Sequence, residues 1–234
     1  MHKILSNEHI SGGIYRMTVT GDFHEAGMGQ FYMLRAWRHA PVLSRPISVH
    51  NIEEDRIQFL YHTVGEGTRL LAKLQAGDAI GLEGPLGTGF PQVQGRIALI
   101  GGGIGIAPLL YASRQLEQPD IYLGFREHAY LTEAFEPYAN ELTIQVGGSI
   151  LEGLDLSKYD SAFVCGPLGM MKEAARMAEG LATKLYVSLE KRIACGIGAC
   201  YACTVMNKNG SRKACTDGPV FMAEEVDWHG DLGL

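Results

Sequence analysis

Ile97-Ala98-Leu99-Ile100-Gly101-Gly102-Gly103-Ile104-Gly105-Ile106-Ala107-Pro108 is the stretch on which the fold turns. Four apolar residues run into a glycine-rich turn, and the turn opens into Leu109 to Leu116 at helical spacing, so it reads as strand, turn, helix. The alternation then repeats. Strands are predicted at Ile121 to Phe125, Leu142 to Val146, Ala162 to Val164 and Lys184 to Leu189. Helices are predicted between them at Leu131 to Ala139 and Leu168 to Gly180, the second turning Met170, Met171, Ala174, Ala178 and Leu181 inward. This βαβ order predicts a doubly wound parallel sheet over residues 93–188, covered by helices on both faces, with a ligand crevice at the carboxyl ends of its strands.

The glycine run itself reads G-x-G-x-G rather than G-x-G-x-x-G, and two readings of it are open. It is either a tight strand-to-helix turn or a dinucleotide site using Gly102, Gly103 and Gly105. The second is favoured by a further apolar strand that ends in its own turn, Cys165-Gly166-Pro167. Cys165 is either a small buried hydrophobe or part of the wall where a nicotinamide ring would meet a flavin. No acidic residue stands at the offset expected for holding a ribose. Arg126-Glu127 is the nearest polar pair, so NADH and NADPH are not distinguished.

Upstream, residues 1–92 read as six short strands, at Lys3 to Ile10, Ile14 to Thr20, Gln30 to Trp37, Arg45 to Ile52, Ile57 to Val64 and Asp78 to Glu83. The fifth alternates cleanly, with Ile57, Phe59 and Tyr61 on one face and Gln58, Leu60 and His62 on the other. Six such strands predict a small closed antiparallel barrel. Between the last two, Gly65-Glu66-Gly67-Thr68 opens a short helix carrying Leu70, Leu71 and Leu74, ended by Gly77. Free amides at such a turn suit a phosphate. Arg45-Pro46-Ile47-Ser48 opens the fourth strand. Pro46 fixes a bend, so Arg45 can meet a diphosphate while Ser48 reaches a flat ring; the plainer alternative is a solvated strand end.

Downstream, residues 189–234 hold four of the five cysteines. Cys195, Cys200, Cys203 and Cys215 are spaced C-x4-C-x2-C-x11-C, and the first three positions match the loop that wraps a plant-type two-iron, two-sulfide cluster. Gly196 and Gly198 supply the unusual dihedrals needed to turn several thiols onto one small core. Structural zinc and a pair of disulfides are the alternatives. Zinc generally uses two separate C-x2-C pairs, and only one is present; disulfides need an oxidising compartment, and no signal peptide is evident. The last gap is shorter than in plant-type ferredoxins, so this is a cluster loop but not a free-standing ferredoxin.

Composition excludes several classes. With 46% hydrophobic residues in 234, the chain can bury two cores and an appendage. No run of 18 apolar residues marks a membrane span, and the expected location is the cytoplasm. A net charge of −6 without a basic block argues against nucleic acid. No Walker A loop, H-E-x-x-H, G-x-S-x-G elbow or paired carboxylates stand out, so no residue is assigned as a catalytic acid, base or nucleophile.

Taken in order, R-P-I-S, G-T, G-G-G-I-G-I-A-P-L, C-G-P and the cysteine block followed by D-G-P-V-F resemble the ferredoxin reductase superfamily. Within it, nearly the whole chain is similar to the electron-transfer subunits of the bacterial, NAD-dependent type B dihydroorotate dehydrogenases. The resemblance implies FAD contacted by Arg45, Pro46, Ile47 and Ser48, with Arg45 on the diphosphate and Ser48 near the isoalloxazine. It further implies a flavin-contacting segment at Leu60, Tyr61 and His62, a diphosphate turn at Gly67 and Thr68, and a [2Fe-2S] cluster on Cys195, Cys200, Cys203 and Cys215. NADH would reduce FAD, and electrons would pass through the cluster to a separate FMN-containing catalytic subunit of pyrimidine biosynthesis, in a heterotetramer. The region from Cys200 to Cys215 is expected to face that partner, with Tyr201 and Phe221 as anchors. Related alternatives are the flavin and iron-sulfur subunit of a ferredoxin:NADP transhydrogenase or a sulfite reductase complex. A different class is a non-enzymatic cluster or zinc redox sensor.

Overall fold

The computed structural model describes residues 1–208 and 210–230. Strands β1 (His2–Ser11), β2 (Ile14–Thr20), β3 (Phe31–Arg35), β4 (Arg45–Glu53), β5 (Arg56–His62) and β6 (Ala79–Leu86) close an antiparallel barrel in the order β1-β2-β5-β4-β3-β6. Closure falls between β1 and β6, where His2 faces Ile80 and Lys3 faces Ala79. The alternation of β5 has the expected result: Ile57, Phe59 and Tyr61 are buried together. Leu60 on its other face is buried too, because helix α2 (Ala107–Gln115) packs against β4 and β5. Helix α1 (Glu66–Leu71) lies between β5 and β6.

The second unit is a six-stranded sheet built from β7 (Ile97–Gly102), β8 (Asp120–Phe125), β9 (Leu142–Val146), β10 (Ser161–Cys165), β11 (Lys184–Ser188) and β14 (Val220–Met222), ordered β14-β11-β10-β7-β8-β9. All neighbours are parallel except β14, which the last part of the chain adds antiparallel to β11. Alternation sorts the central strands onto two faces. Ile97, Leu99, Ile121, Leu123 and Phe163 share a core with Leu109 and Ala112 of α2 and with the barrel. Ala98, Ile100, Ala162, Val164, Leu185 and Val187 share the other with Met171 and Ala174 of helix α3 (Leu168–Ala178). Each of the buried Ile, Leu, Val, Met and Phe side chains contributes about 1.5–3 kcal/mol.

Two segments differ from the sequence expectation. The helix predicted over Leu131 to Ala139 is instead two 3-10 turns, at Thr132–Ala134 and Glu136–Tyr138. Leu131 enters with φ 54 and Pro137 removes a helical donor, so the segment cannot hold an α-helix. Leu181, predicted to face inward, is 38% exposed, because α3 ends at Ala178 and Gly180 (φ 77) turns the chain outward. Among the described residues no helix is long and apolar enough to cross a membrane.

The remaining segment carries the hairpin β12 (Thr204–Asn207) and β13 (Gly210–Lys213), then β14. It touches both larger units. Leu189 donates its amide to Pro219 at 2.9 Å, Thr88 donates its hydroxyl to Thr216 at 3.1 Å, and a Cβ on Gly196 would press on Met33 and Leu86 of the barrel.

Candidate functional site

Three of the predicted stretches meet at one opening of the barrel. The ladder between β4 and β5 runs only from Glu53–Arg56 to Val49–Phe59. Beyond it β5 continues on β2 and β4 continues on β3, so Arg45–Ser48 and Leu60–His62 diverge with no pairing between them. The slot left between two diverging strands suits a flat ring. Leu60 and Tyr61 are buried, with the Tyr61 hydroxyl donating to Asn7 at 2.9 Å; of this triplet only the His62 side chain is exposed. Burial also holds the Tyr61 phenol protonated far above its ordinary range.

The turn at the mouth of this slot is Gly65–Thr68. Thr68 is buried and closes the turn on itself, its hydroxyl donating to the Gly65 carbonyl and accepting from the Gly65 amide, both at 3.1 Å. Arg45 lies across Gly67 so closely that a Cβ there would run into the guanidinium. Its Nη1 donates to Leu43 at 2.7 Å, and its guanidinium stands 5.6 Å over the Trp37 ring. Among the described residues no carboxylate pairs with Arg45. An oriented guanidinium with donors to spare, beside the amides of a helix-opening turn, fits a diphosphate.

On the sheet, the two predicted turns touch. Gly105 packs against the Cys165–Gly166 backbone, leaving no space for a Cβ, while Gly166 (φ 158) lies against Gly102. Gly103 (φ 54) has open space where a Cβ would stand. Gly102, Gly103, Gly166 and Pro167 thus line one crevice at the carboxyl ends of β7 and β10, while Gly105 brings the two turns together from behind. Cys165 is 6% exposed, and burial, with Glu190 adding to it, pushes the thiol up to about 12. It is a neutral buried thiol, not a nucleophile, and it is not among the residues that line the crevice. Leu189, Glu190 and Lys191 also line this crevice. Sequence reading missed them because they come from the segment leading to the cysteines, and the only signal was their position just after β11.

The four predicted cysteines come together in two pairs. Cys195 is hydrogen-bonded to Cys200, and hydrogen bonds from the Cys200, Ile197 and Ala199 backbone and the Cys200 thiol lower its pKa to about 6. Cys215 lies against Cys203, and burial raises it to about 11. The Gly198 amide donates to Cys215 Sγ at 3.2 Å. Gly196 (φ 74) and Gly198 (φ 79) adopt the left-handed backbone expected of them. All five cysteines are free thiols. Two thiol pairs with amides aimed at sulfur match a two-iron core, which takes two thiolates on each iron.

At the rim of this loop Tyr201 is 63% exposed, has φ 58 and carries the Lys213 ammonium 4.3 Å above its ring; Ile197 is also 63% exposed. Phe221, expected beside Tyr201 as a surface anchor, is 6% exposed. Its place in β14 against Gly218 makes it a core residue.

A six-stranded barrel with a splayed slot, a parallel sheet with a glycine crevice and a four-cysteine loop between them define a ferredoxin-reductase-like electron-transfer protein. Residues 190–227 match the family model for the iron-sulfur cluster binding domain of dihydroorotate dehydrogenase B. The chain is 40% identical to the electron transfer subunit of dihydroorotate dehydrogenase B (NAD(+)) of Clostridium acetobutylicum, over 97% of this chain and 96% of the relative. It is 38% identical to that of Clostridium perfringens, over 97% of each. A solved NADH-dependent reduced ferredoxin-NADP oxidoreductase structure superimposes with a TM-score of 0.88 and 27% identity, covering 98% of this chain and 90% of that one. The ferredoxin reductase of carbazole 1,9a-dioxygenase shares the fold, with a TM-score of 0.64 and 19% identity over 79% of this chain and 67% of that one. This chain belongs to the family of electron-transfer subunits of NAD-dependent dihydroorotate dehydrogenase B.

Proposed function

We propose that this chain takes electrons from NADH and delivers them, by way of FAD and a [2Fe-2S] cluster, to an FMN-containing catalytic subunit that interconverts dihydroorotate and orotate. The cysteine loop, wedged between barrel and sheet and formed by four paired thiols, is the observation that carries this reading. When bound, the flavin converts a two-electron hydride into the single electrons that an iron-sulfur cluster passes on. The chain's own residues bind and align. Arg45 and the Gly65–Thr68 turn hold the diphosphate of FAD, and the splayed ends of β4 and β5 receive its ring. Gly102, Gly103, Gly166 and Pro167 let the backbone approach a dinucleotide, while Cys165 at the end of β10 remains a neutral, buried thiol. Cys195, Cys200, Cys203 and Cys215 hold the cluster.

Ile197 and Tyr201 form the exposed apolar rim of the cysteine loop, and this rim faces the catalytic subunit in a heterotetramer. Free thiols and dependence on NADH support a cytoplasmic site of action. The likeness to the ferredoxin-NADP oxidoreductase structure favours one second reading, a subunit of a complex that reduces another acceptor with the same flavin and cluster logic. Reconstitution decides between them. The chain is purified anaerobically with its co-eluting subunit, and NADH-dependent orotate reduction is measured with and without it. Orotate reduction only in its presence supports the first reading; NADH oxidation coupled solely to another acceptor replaces it with the second.

A further inference from the structure

One strand serves both halves of the molecule. β4 begins with Arg45–Ser48 at the slot and ends with His50, Asn51 and Glu53 against α2, the helix that leaves the glycine turn of the crevice. Between these ends the β4–β5 ladder breaks: Val49 faces Phe59 but Asn51 faces Gln58, so His50 is the extra residue of a bulge. A bulge turns one side chain out of the strand's alternation. His50 is fully buried, and its Nδ1 lies 2.8 Å from the carbonyl of Ala107, the first residue of α2, immediately after the 3-10 turn Gly103–Ile106. That carbonyl accepts, so Nδ1 carries the proton, and Nε2 has no partner in the protein. One residue on, Asn51 Oδ1 accepts from Arg114 Nη1 at 2.6 Å, and Glu53 stands 3.6 Å from the same guanidinium.

We infer that His50 is a positioning residue. Through its bond to the Ala107 carbonyl it fixes the glycine turn of the crevice against the flavin slot, and so sets the distance and tilt at which a nicotinamide meets the flavin. The inference rests on the function proposed above. A buried imidazole with one unmatched nitrogen costs more than an aliphatic residue of similar size would, so stability alone gives no reason for it. A donor aimed at the one carbonyl that joins the turn to its helix does supply a reason. Hydride transfer is sensitive to such placement, since about 1 Å of misalignment costs roughly a hundredfold in rate. Arg114 is the outer half of the same clasp and acts in the same direction more weakly, being nearer the surface.

The test uses the complete complex with its cofactors. His50→Leu keeps the volume and removes the donor; His50→Asn restores a donor near the Nδ1 position. FAD and iron content are measured first, then NADH binding, the stopped-flow rate of flavin reduction by NADH, and the long-wavelength charge-transfer absorbance that reports nicotinamide stacked on flavin. With FAD, iron and NADH affinity within about twofold of the parent, His50→Leu is expected to slow flavin reduction about tenfold or more and to diminish the charge-transfer band, while His50→Asn recovers both. An undiminished band and rate in His50→Leu would overturn the inference. Equal losses of FAD in the Leu and Asn variants would also overturn it, since the role is then packing; Arg114→Met, which leaves the buried seam filled, must in that case show no change in the band. A parent complex that binds no FAD would instead refute the function proposed above.

Discussion

The cysteine loop and the flavin slot reach comparable chemical definition by opposite routes. In the loop, four thiols are gathered from 21 consecutive positions, Cys195 to Cys215, and two left-handed glycines fold them inward. In the slot, Arg45, His62 and Gly67 come from two strands and a helix-opening turn, and they meet only because the β4–β5 ladder stops at Val49–Phe59. A site whose ligands are close in sequence depends on local backbone conformation. One assembled across strands depends on where pairing ends, which is a property of the whole barrel. The two should therefore fail independently.

Cys203→Ser should separate the two sites most sharply. Cys203 is 1% exposed and lies against Cys215, so its loss removes one of the four thiolates a two-iron cluster requires. The expected outcome is loss of the cluster's electron paramagnetic resonance signal upon reduction, with FAD still bound at full stoichiometry. Loss of both cofactors together would show that loop and slot are one cooperative unit.

The same contrast explains what could be read from sequence. Spacing alone marked Cys195, Cys200, Cys203 and Cys215, and the period-two pattern of Ile57, Phe59 and Tyr61 marked the barrel interior, because both signals are local. The alternation of strand and helix after Gly95 likewise announced the parallel sheet. The return of residues 220–222 as β14, which leaves Phe221 buried, was not legible, since a three-residue strand pairing with β11 has no periodicity of its own. Nor was the bulge at His50, which depends on a register shift between two strands. Leu131 to Ala139 misled because its apolar spacing is helical, while Pro137 and the positive φ at Leu131 decide otherwise.

His50 offers the next largest effect, on the seam that joins slot to crevice. Burial, with Arg16 adding a smaller push, lowers its pKa from 6.5 to about 4 despite the opposing bond to Ala107. Below 6.5 the unfolded chain therefore binds a proton that the folded chain refuses. Stability from this residue is fully present above pH 6.5, falls by about 2 kcal/mol at pH 5, and is lost by about 3 kcal/mol as the pH passes 4. Denaturant titrations at pH 7 and pH 5 check this. His50→Leu should flatten that part of the pH dependence, and an unchanged slope would place the proton elsewhere.

Gly105→Ala tests the crevice separately. A Cβ at this position would drive into the Cys165 carbonyl and the Gly166 backbone, neither of which can swing aside as a flexible side chain would. Overpacking of this kind costs about 1–3 kcal/mol. It also wedges apart the two turns that line the crevice. Titration of the variant with NADH should show weakened binding while the visible spectrum of flavin and cluster stays unchanged. Normal NADH affinity would mean that the dinucleotide lies away from the junction of β7 and β10.

The smallest effect concerns the rim, where stability and function should part in sign. Tyr201 holds a left-handed backbone (φ 58) with its ring 63% exposed under Lys213. Such strain costs a non-glycine residue about 1–2 kcal/mol, and a cation over an exposed ring returns about 0.5–1 kcal/mol. Glycine at this position relieves the strain and loses the ring. Tyr201→Gly should therefore leave the isolated chain equally stable or more stable by up to about 1.5 kcal/mol in thermal unfolding. It should also weaken association with the catalytic subunit, measured by calorimetry. A variant that loses stability while keeping its affinity for the partner would show that the Tyr201 ring belongs to the loop's own packing rather than to the interface.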